Sequence, residues 1–184
     1  MSALPAILDY TSQNFTPPVA LASWYAIQTR SRHERVVAHQ LQIRGVTQYL
    51  PTVTEVHRWS DRRKQVEVPL FAGYLFVQLP ACNQNRVQVL HTPGVLRFVG
   101  SEPGGSLIPD DQLESIRALV DREVPWAAYP FLKSGQRVRV RSGSLDGLEG
   151  IFMRRSGEDS LIISIDAIQR SLCVSIQGYE LEVL

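Results

Sequence analysis

Pro69-Leu70-Phe71-Ala72-Gly73-Tyr74-Leu75-Phe76-Val77 is the stretch whose reading decides the fold. Tyr74 to Val77 is an unbroken run of aromatic and branched residues, the composition of a strand. Gly73 supplies backbone freedom just where Phe71, Tyr74 and Phe76 crowd together. Side chains alternate across a strand, so Tyr74 and Phe76 share one face while Leu75 and Val77 take the other. Leu75 and Val77 can enter a core. The face of Tyr74 and Phe76 then has two readings, a second helix-covered layer or an aromatic docking patch.

The surrounding composition narrows the class. At 184 residues, with 44% hydrophobic and 20% charged, the chain has room for one large or two small globular domains. A formal net charge of +1 excludes gross polybasic attraction, so any nucleic-acid contact must come from a local cluster. Cys82 and Cys173 stand far apart with no C-x-x-C spacing, which argues against a zinc site or disulfide framework and fits a reducing cytoplasm. No apolar run approaches membrane-spanning length, and the N-terminus lacks a basic-then-apolar signal pattern.

Outward from the central strand the punctuation is clear. Residues 1–22 carry Pro5, Pro17 and Pro18 among polar residues and read as a disordered leader. Trp24-Tyr25-Ala26-Ile27-Gln28 opens the first domain, 23–123, as a strand. Ser31-Arg32-His33-Glu34 reads as a capping box for a helix with Val37 and Leu41 on one face and Gly45 at its end. Val46 to Leu50 is a strand. Two alternating segments, Val53 to Trp59 and Lys64 to Val68, flank a polar turn and predict a β-hairpin. Asn83 to His91 reads as a short helix with Val87 and Leu90 inward, and Val95 to Val99 as a strand. Pro109-Asp110-Asp111 opens a last helix, with a second capping box from Asp111 and Glu114 and an apolar face of Leu113, Ile116 and Val120. This is an α+β plan of sheet plus helices.

Residues 124–133 hold Pro125 and Pro130 without periodicity and read as a linker. From 134 to 184 the texture changes. Arg137-Val138-Arg139-Val140-Arg141 alternates strictly, Gly143, Gly147 and Gly150 mark turns, and four more short strands follow. Five short strands in so little chain predict a small β-barrel.

These residues resemble the NusG family of transcription elongation factors. Trp24-Tyr25, the helix with Glu34 and Leu41, the 69–77 stretch, and Gly94-Val95 followed by Phe98-Val99-Gly100 resemble its N-terminal domain, which is ferredoxin-like. Gly135 to Val140 and Gly143-Ser144-Leu145-Asp146-Gly147-Leu148-Glu149-Gly150 resemble a KOW domain. The compact first domain, the Leu-Phe-x-x-Tyr-Leu-Phe wording and the segment Ile163 to Ser171 look more like the RfaH-like and UpxY-like antiterminators than the housekeeping factor.

The resemblance implies a monomeric factor without cofactors that binds RNA polymerase and suppresses pausing or termination. Docking on the β′ clamp helices would fall to Phe71, Tyr74, Phe76 and Phe98, with Trp24 as a further member that a strand-opening tryptophan's usual place in a core argues against. Ala72 stands where the family usually has proline. At the hairpin tip Arg58, Arg62, Arg63 and Lys64 surround Trp59; guanidinium groups grip phosphates and an indole stacks on an unpaired base, which suits upstream or non-template DNA. The solvated tip is the plainer reading. The β-subunit gate loop would meet Asn85, Arg86 and Gln88, although the family's threonine-rich pattern is absent there. The KOW domain would recruit a ribosomal protein or termination factor through Leu145 and Leu148, unless those leucines are core.

An enzyme is not expected. His33-Glu34 with His39 misses the H-E-x-x-H spacing, His57 and His91 lack metal-ligand partners, and neither G-x-S-x-G nor a phosphate loop is present. The competing reading is an RNA- or ribosome-binding KOW protein. That function would call for basic residues around Tyr74 and Phe76, and the stretch has none.

Overall fold

The 69–77 stretch delivers its strand as β5, Tyr74–Leu79, and its pairing explains the rest of the first unit. A computed structural model describes residues 22–58, 63–80, 83–101, 104–132, 135–155 and 157–184; the predicted leader lies almost wholly outside them. β5 pairs antiparallel with β1, Ser23–Thr29, placing Phe76 opposite Ala26 and Leu75 opposite Ile27. Its other edge takes β2, Thr47–Tyr49, with Phe76 opposite Tyr49. β3, Thr52–Arg58, and β4, Arg63–Pro69, form the predicted hairpin as a separate two-stranded sheet. β6, Val95–Phe98, and β7, Leu107–Ile108, complete the far edge of β1, for the order β2-β5-β1-β6 with β7 beside β1. With helices α1, Glu34–Ile43, and α2, Asn83–Leu90, in sequence order this is a ferredoxin-like unit with a hairpin inserted.

Alternation assigns the two faces. Tyr25, Ile27, Leu75, Val77 and Leu79 pack with Val37, Ala38 and Leu41 of α1 and with Val89 of α2. Val89, and not Val87 or Leu90, is the buried residue of α2; the other two are 50% and 44% exposed. The sequence placed the wrong side of that short helix inward because its three apolar residues fit two helical faces.

Neither capping box forms. His33 occupies the α1 cap position without a side-chain cap bond, and Glu34 is the first helical residue. Its carboxylate is instead buried and accepts the Gly73 N–H at 2.7 Å. Gly73 has φ +82°, so α1 pins the left-handed turn that launches β5. In α3, Asp110–Asp121, Pro109 is the cap residue and makes no side-chain bond, while Asp111 reaches Arg137 at 3.0 Å.

The segment read as a linker contains a strand, β8, Trp126–Tyr129. After it come β9, Arg137–Val140; β10, Glu149–Arg155; β11, Glu158–Ile165; β12, Arg170–Ser175; and β13, Leu181–Val183. They form a six-stranded antiparallel sheet in the order β13-β9-β10-β11-β12-β8. The KOW-type unit therefore carries one strand more than the five expected, and among the described residues no pairing closes β13 onto β8. Gly150 lies inside β10 and not in a turn. A Cβ there would sit 2.6 Å from the Ile162 carbonyl oxygen, so close strand approach, rather than chain reversal, requires glycine.

Glu34 generates the first test. Glu34→Ala leaves the Gly73 N–H without its acceptor and should cost about 1–3 kcal/mol in urea unfolding, whereas Glu34→Gln, which keeps an acceptor oxygen, should recover part of the loss.

Candidate functional site

The strand face opposite α1 and α2 carries the aromatic residues that the sequence singled out. Phe71 and Phe76 meet edge to face, with centroids 6.1 Å apart and planes at 89°, and Tyr49 lies along Phe76 at 6.4 Å and 28°. Such offset and edge-to-face contacts suit the ring quadrupoles and make the group rigid. Tyr74 sits half-buried at the rim of this group. The sequence missed Tyr49, although its aromatic character within the Val46 to Leu50 strand was the available signal.

This face is covered, which corrects the expectation of an exposed patch. Phe76 is 0% exposed, and Phe71 and Trp24 are 6% exposed each. One buried cluster joins Trp24, Ala26, Phe71 and Phe76 through Leu113, Ile116 and Leu119 of α3 to Val138, Leu161, Ile163 and Val174 of the C-terminal sheet. The Arg117 guanidinium of α3 lies 5.0 Å from the ring centres of both Trp24 and Tyr49. The 3-10 turn Asp166–Ile168 lies against β1 and β7.

Phe98 does not belong to this group. Its register partner is Ile27, on the α1 and α2 face, and it packs edge-on to Tyr25 at 6.2 Å. Strand alternation places Phe98 correctly only once its partner is known, and the sequence does not reveal the partner.

Arg86 also leaves its expected role. Its guanidinium stacks 4.3 Å from the Tyr25 ring centre, lies 5.9 Å from that of Phe98, and donates to the Gly104 carbonyl. It fastens the loop before β7 and is half-buried. Asn85 is half-buried and Gln88 exposed; the Gln88 carbonyl accepts from Arg44 and Thr92 at the end of α2.

Leu145 and Leu148 are 2% and 1% exposed, so they are core residues of the C-terminal sheet and not a partner surface. The turn that carries them faces α3, where Arg122 donates to the carbonyls of Ser144 and Asp146 at 2.8 and 3.0 Å.

At the hairpin, Trp59 and Arg62 lie outside the described residues. The backbone register puts Arg58 opposite Arg63 and His57 opposite Lys64.

The joint between the two sheets is polar at its margin. Asp111 pairs with Arg137, Gln112 donates to the Asp166 carboxylate at 3.3 Å, and the Ser115 hydroxyl reaches the Glu149 carbonyl at 3.4 Å. On the outer face of β9, Arg139 bonds Glu149 and Arg141 bonds Glu182, so the arginines of the strict alternation are paired. Arg154 and Asp159, cross-strand partners, bond at 2.5 and 2.8 Å, and the guanidinium holds that carboxyl below its usual range. Among the described residues no group of three His, Cys, Asp or Glu could hold a metal ion.

The comparisons fit this layout. Residues 22–117 match the family model described as transcription termination factor nusG, covering all of the first sheet and most of α3. The chain belongs to the NusG family.

Among curated relatives, the transcription termination/antitermination protein NusG of Lactococcus lactis subsp. lactis (strain IL1403) is 27% identical over 174 residues, 86% of this chain and 91% of its own. NusG of Staphylococcus carnosus (strain TM300) is 26% identical over 186 residues, covering 90% and 98%. A solved structure reported for domain interaction in Thermotoga maritima NusG is 21% identical, spans 88% of this chain and 96% of that one, and has a TM-score of 0.48. NusG proteins are transcription factors and not enzymes, and that class holds for this chain. No helix among the described residues is long and apolar enough to cross a membrane.

Burial also marks Tyr49 electrostatically. Desolvation first, then the Asp121 carboxylate, pushes its phenol from 10.0 up to about 12, against the pull of Arg117. The folded phenol keeps its proton to higher pH than the unfolded one, so the contribution is complete below pH 10 and is lost as pH rises through about 12. Tyr49→Phe should flatten the fall in urea midpoint between pH 9 and 12 relative to the unaltered chain. At pH 7 it should be close to neutral, because the Tyr49 hydroxyl is buried without a protein partner.

Proposed function

We propose that this NusG-family chain is a transcription elongation and antitermination factor that docks on the β′ clamp helices of RNA polymerase and disfavours pausing or termination. The observation that carries the docking reading is the rigid stack of Tyr49, Phe76 and Phe71 with Tyr74 at its rim. Preorganised aromatic area supplies interface energy at low entropic cost. Phe71, Phe76 and Trp24 serve as the floor of this surface, and Tyr74 as its accessible edge. Docking then requires that whatever covers the face move aside, so the closed arrangement is a resting state and polymerase binding is linked to its opening.

The hairpin contacts upstream or non-template DNA. Arg58, Arg62, Arg63 and Lys64 make the densest basic cluster in the sequence, with Trp59 among them. Arg62, Lys64 and Trp59 complete the phosphate-gripping and base-stacking set. A second polymerase contact, to the β gate loop, is made from α2 by Gln88 with the exposed Val87 and Leu90. Tying both sides of the polymerase cleft together favours the closed clamp by the factor's differential affinity for it. The C-terminal sheet recruits a further protein, a ribosomal protein or termination factor, through its surface and not through Leu145 and Leu148.

Two measurements test this reading. Tyr74→Ala should weaken binding of the purified chain to RNA polymerase at least about tenfold, the scale of one lost interface anchor, in a variant whose melting transition stays cooperative and well above the assay temperature; equal binding would sink the docking assignment. On single-stranded DNA, Arg62→Gln/Arg63→Gln should reduce the log–log salt slope of binding by about 1.4, the value for two lost phosphate contacts. A slope that does not change would return the hairpin to an ordinary solvated tip.

A further inference from the structure

We propose that the free edge of β3 is a strand-addition site. Its occupant is an extended segment of a partner protein, with apolar residues in alternation and a lysine or arginine among them, paired to the backbone of Thr52, Thr54 and Val56. The site uses neither the aromatic face nor the hairpin tip, and it stands whether or not the chain docks on polymerase.

The phase of the β3–β4 ladder decides which backbone groups are free. The Leu70 N–H donates to the Pro51 carbonyl at 2.8 Å, so the pair at the base of the hairpin is a hydrogen-bonded one. Bonded and non-bonded pairs alternate along an antiparallel ladder, and this register runs unbroken from Thr52 opposite Pro69 to Arg58 opposite Arg63. Val53 and Glu55 therefore bond inward to β4, whereas Thr52, Thr54 and Val56 turn their N–H and C=O groups outward. β4 agrees with that phase. Pro69, opposite Thr52, has no N–H to offer, and the Glu67 carbonyl, opposite Thr54, points out and accepts from Arg35 at 2.9 Å.

The two edges of the hairpin are unequal. The β4 edge is blunted by Pro69 and by Arg35 on the Glu67 carbonyl. Residues 52–56 of β3 contain no proline, no lysine and no register shift, the devices that keep an edge from pairing. No other strand among the described residues pairs with β3, so the hairpin is a two-stranded sheet, an arrangement that a third strand stabilises.

In front of the open edge lies room for that strand. Thr52 to Val56 line an open cleft of about 670 Å³, whose opposite wall is the end of α3 and the start of β8. Consecutive strand residues border one space when the strand turns its edge to it, since a face offers alternate residues only. The outward groups from Thr52 to Val56 span about 14 Å, the length of a five-residue strand. Val120, Val124 and the half-buried Trp126 give the far wall apolar area for alternate side chains of an incoming segment.

Charge selects the occupant further. The ionisable residues lining the cleft are Glu55 and Glu123, with no Lys, Arg or His beside them. Glu123 is exposed and, among the described residues, forms no ion pair. That sign turns away a phosphate backbone and favours a cation. A helix already bonds its own backbone and cannot satisfy a strand edge, so the clamp helices of the docking reading do not compete for this cleft.

The phase of the ladder supplies the test. The probe is a capped heptapeptide, Thr-Val-Arg-Val-Thr-Val-Arg, added at millimolar concentration to the isotope-labelled full chain. The amides of Thr52, Thr54 and Val56 should then exchange with solvent at least about tenfold more slowly, while those of Val53 and Glu55, already bonded to β4, should keep their rates. Thr54→Pro removes one outward N–H without touching the inward ladder and should weaken the peptide at least about fivefold. Glu123→Lys should weaken it at least about threefold at low salt. The same peptide N-methylated throughout keeps its side chains and loses its donors, so it should not bind the unaltered chain; this arm needs no variant to fold. Absence of protection, equal slowing of inward and outward amides, or equal binding of the methylated peptide would each overturn the proposal. Protection that grows with the chain's own concentration, without peptide, would assign the edge to a second copy and overturn it as well.

Discussion

Everything in this molecule turns on the burial of α3 between two sheets. Leu113, Ile116 and Leu119 are each essentially inaccessible, and one apolar cluster passes through them from Phe76 and Trp24 to the core of the C-terminal sheet. Burying a side chain of that size contributes about 1.5–3 kcal/mol relative to exposure. The polar contacts at the margin cannot compete. Asp111 and Arg137 are 41% and 58% exposed, and pairs of that kind contribute about 0–1 kcal/mol. The joint is therefore held by apolar area.

That arrangement gives the aromatic face two uses of the same chemistry. Rings that make good interface anchors also make good core, because both depend on large, rigid area removed from water. In the closed arrangement Phe76 and Phe71 are core. A partner would have to exchange one burial for another of similar size, so small changes in the cover decide whether the face is available. The Glu34 bond to Gly73 holds the turn before β5 from the α1 side, away from the cover.

Much of the fold was legible because its signals are local. The apolar run Tyr74 to Val77 and the alternation in Arg137 to Arg141 and the two hairpin arms are short-range signals, and each became a strand. The failures also have physical causes. Ser31 and Asp111 have the right residue type and spacing for capping boxes, yet tertiary partners claimed the carboxylates: Glu34 went to Gly73 and Asp111 to Arg137. Trp126 to Tyr129, bracketed by prolines and centred on two alanines, carries no strand signal of its own; β12 imposes the conformation by offering an unpaired edge. Val87 and Leu90 were misassigned because a helix so short does not fix its own rotation.

By itself the sequence determined the α+β unit, the strand-rich C-terminal unit, their order, and the family resemblance, since all of these reside in residue type and short-range period. Only the tertiary structure decided which aromatic residues share a face, that Phe98 stands apart from Phe76, that Leu145 and Leu148 are core, and that the aromatic face lies beneath α3 and the second sheet. The reason is that exposure is not a property of a residue or of a strand. It depends on what another part of the chain lays over that strand, and no local pattern encodes the identity of the cover.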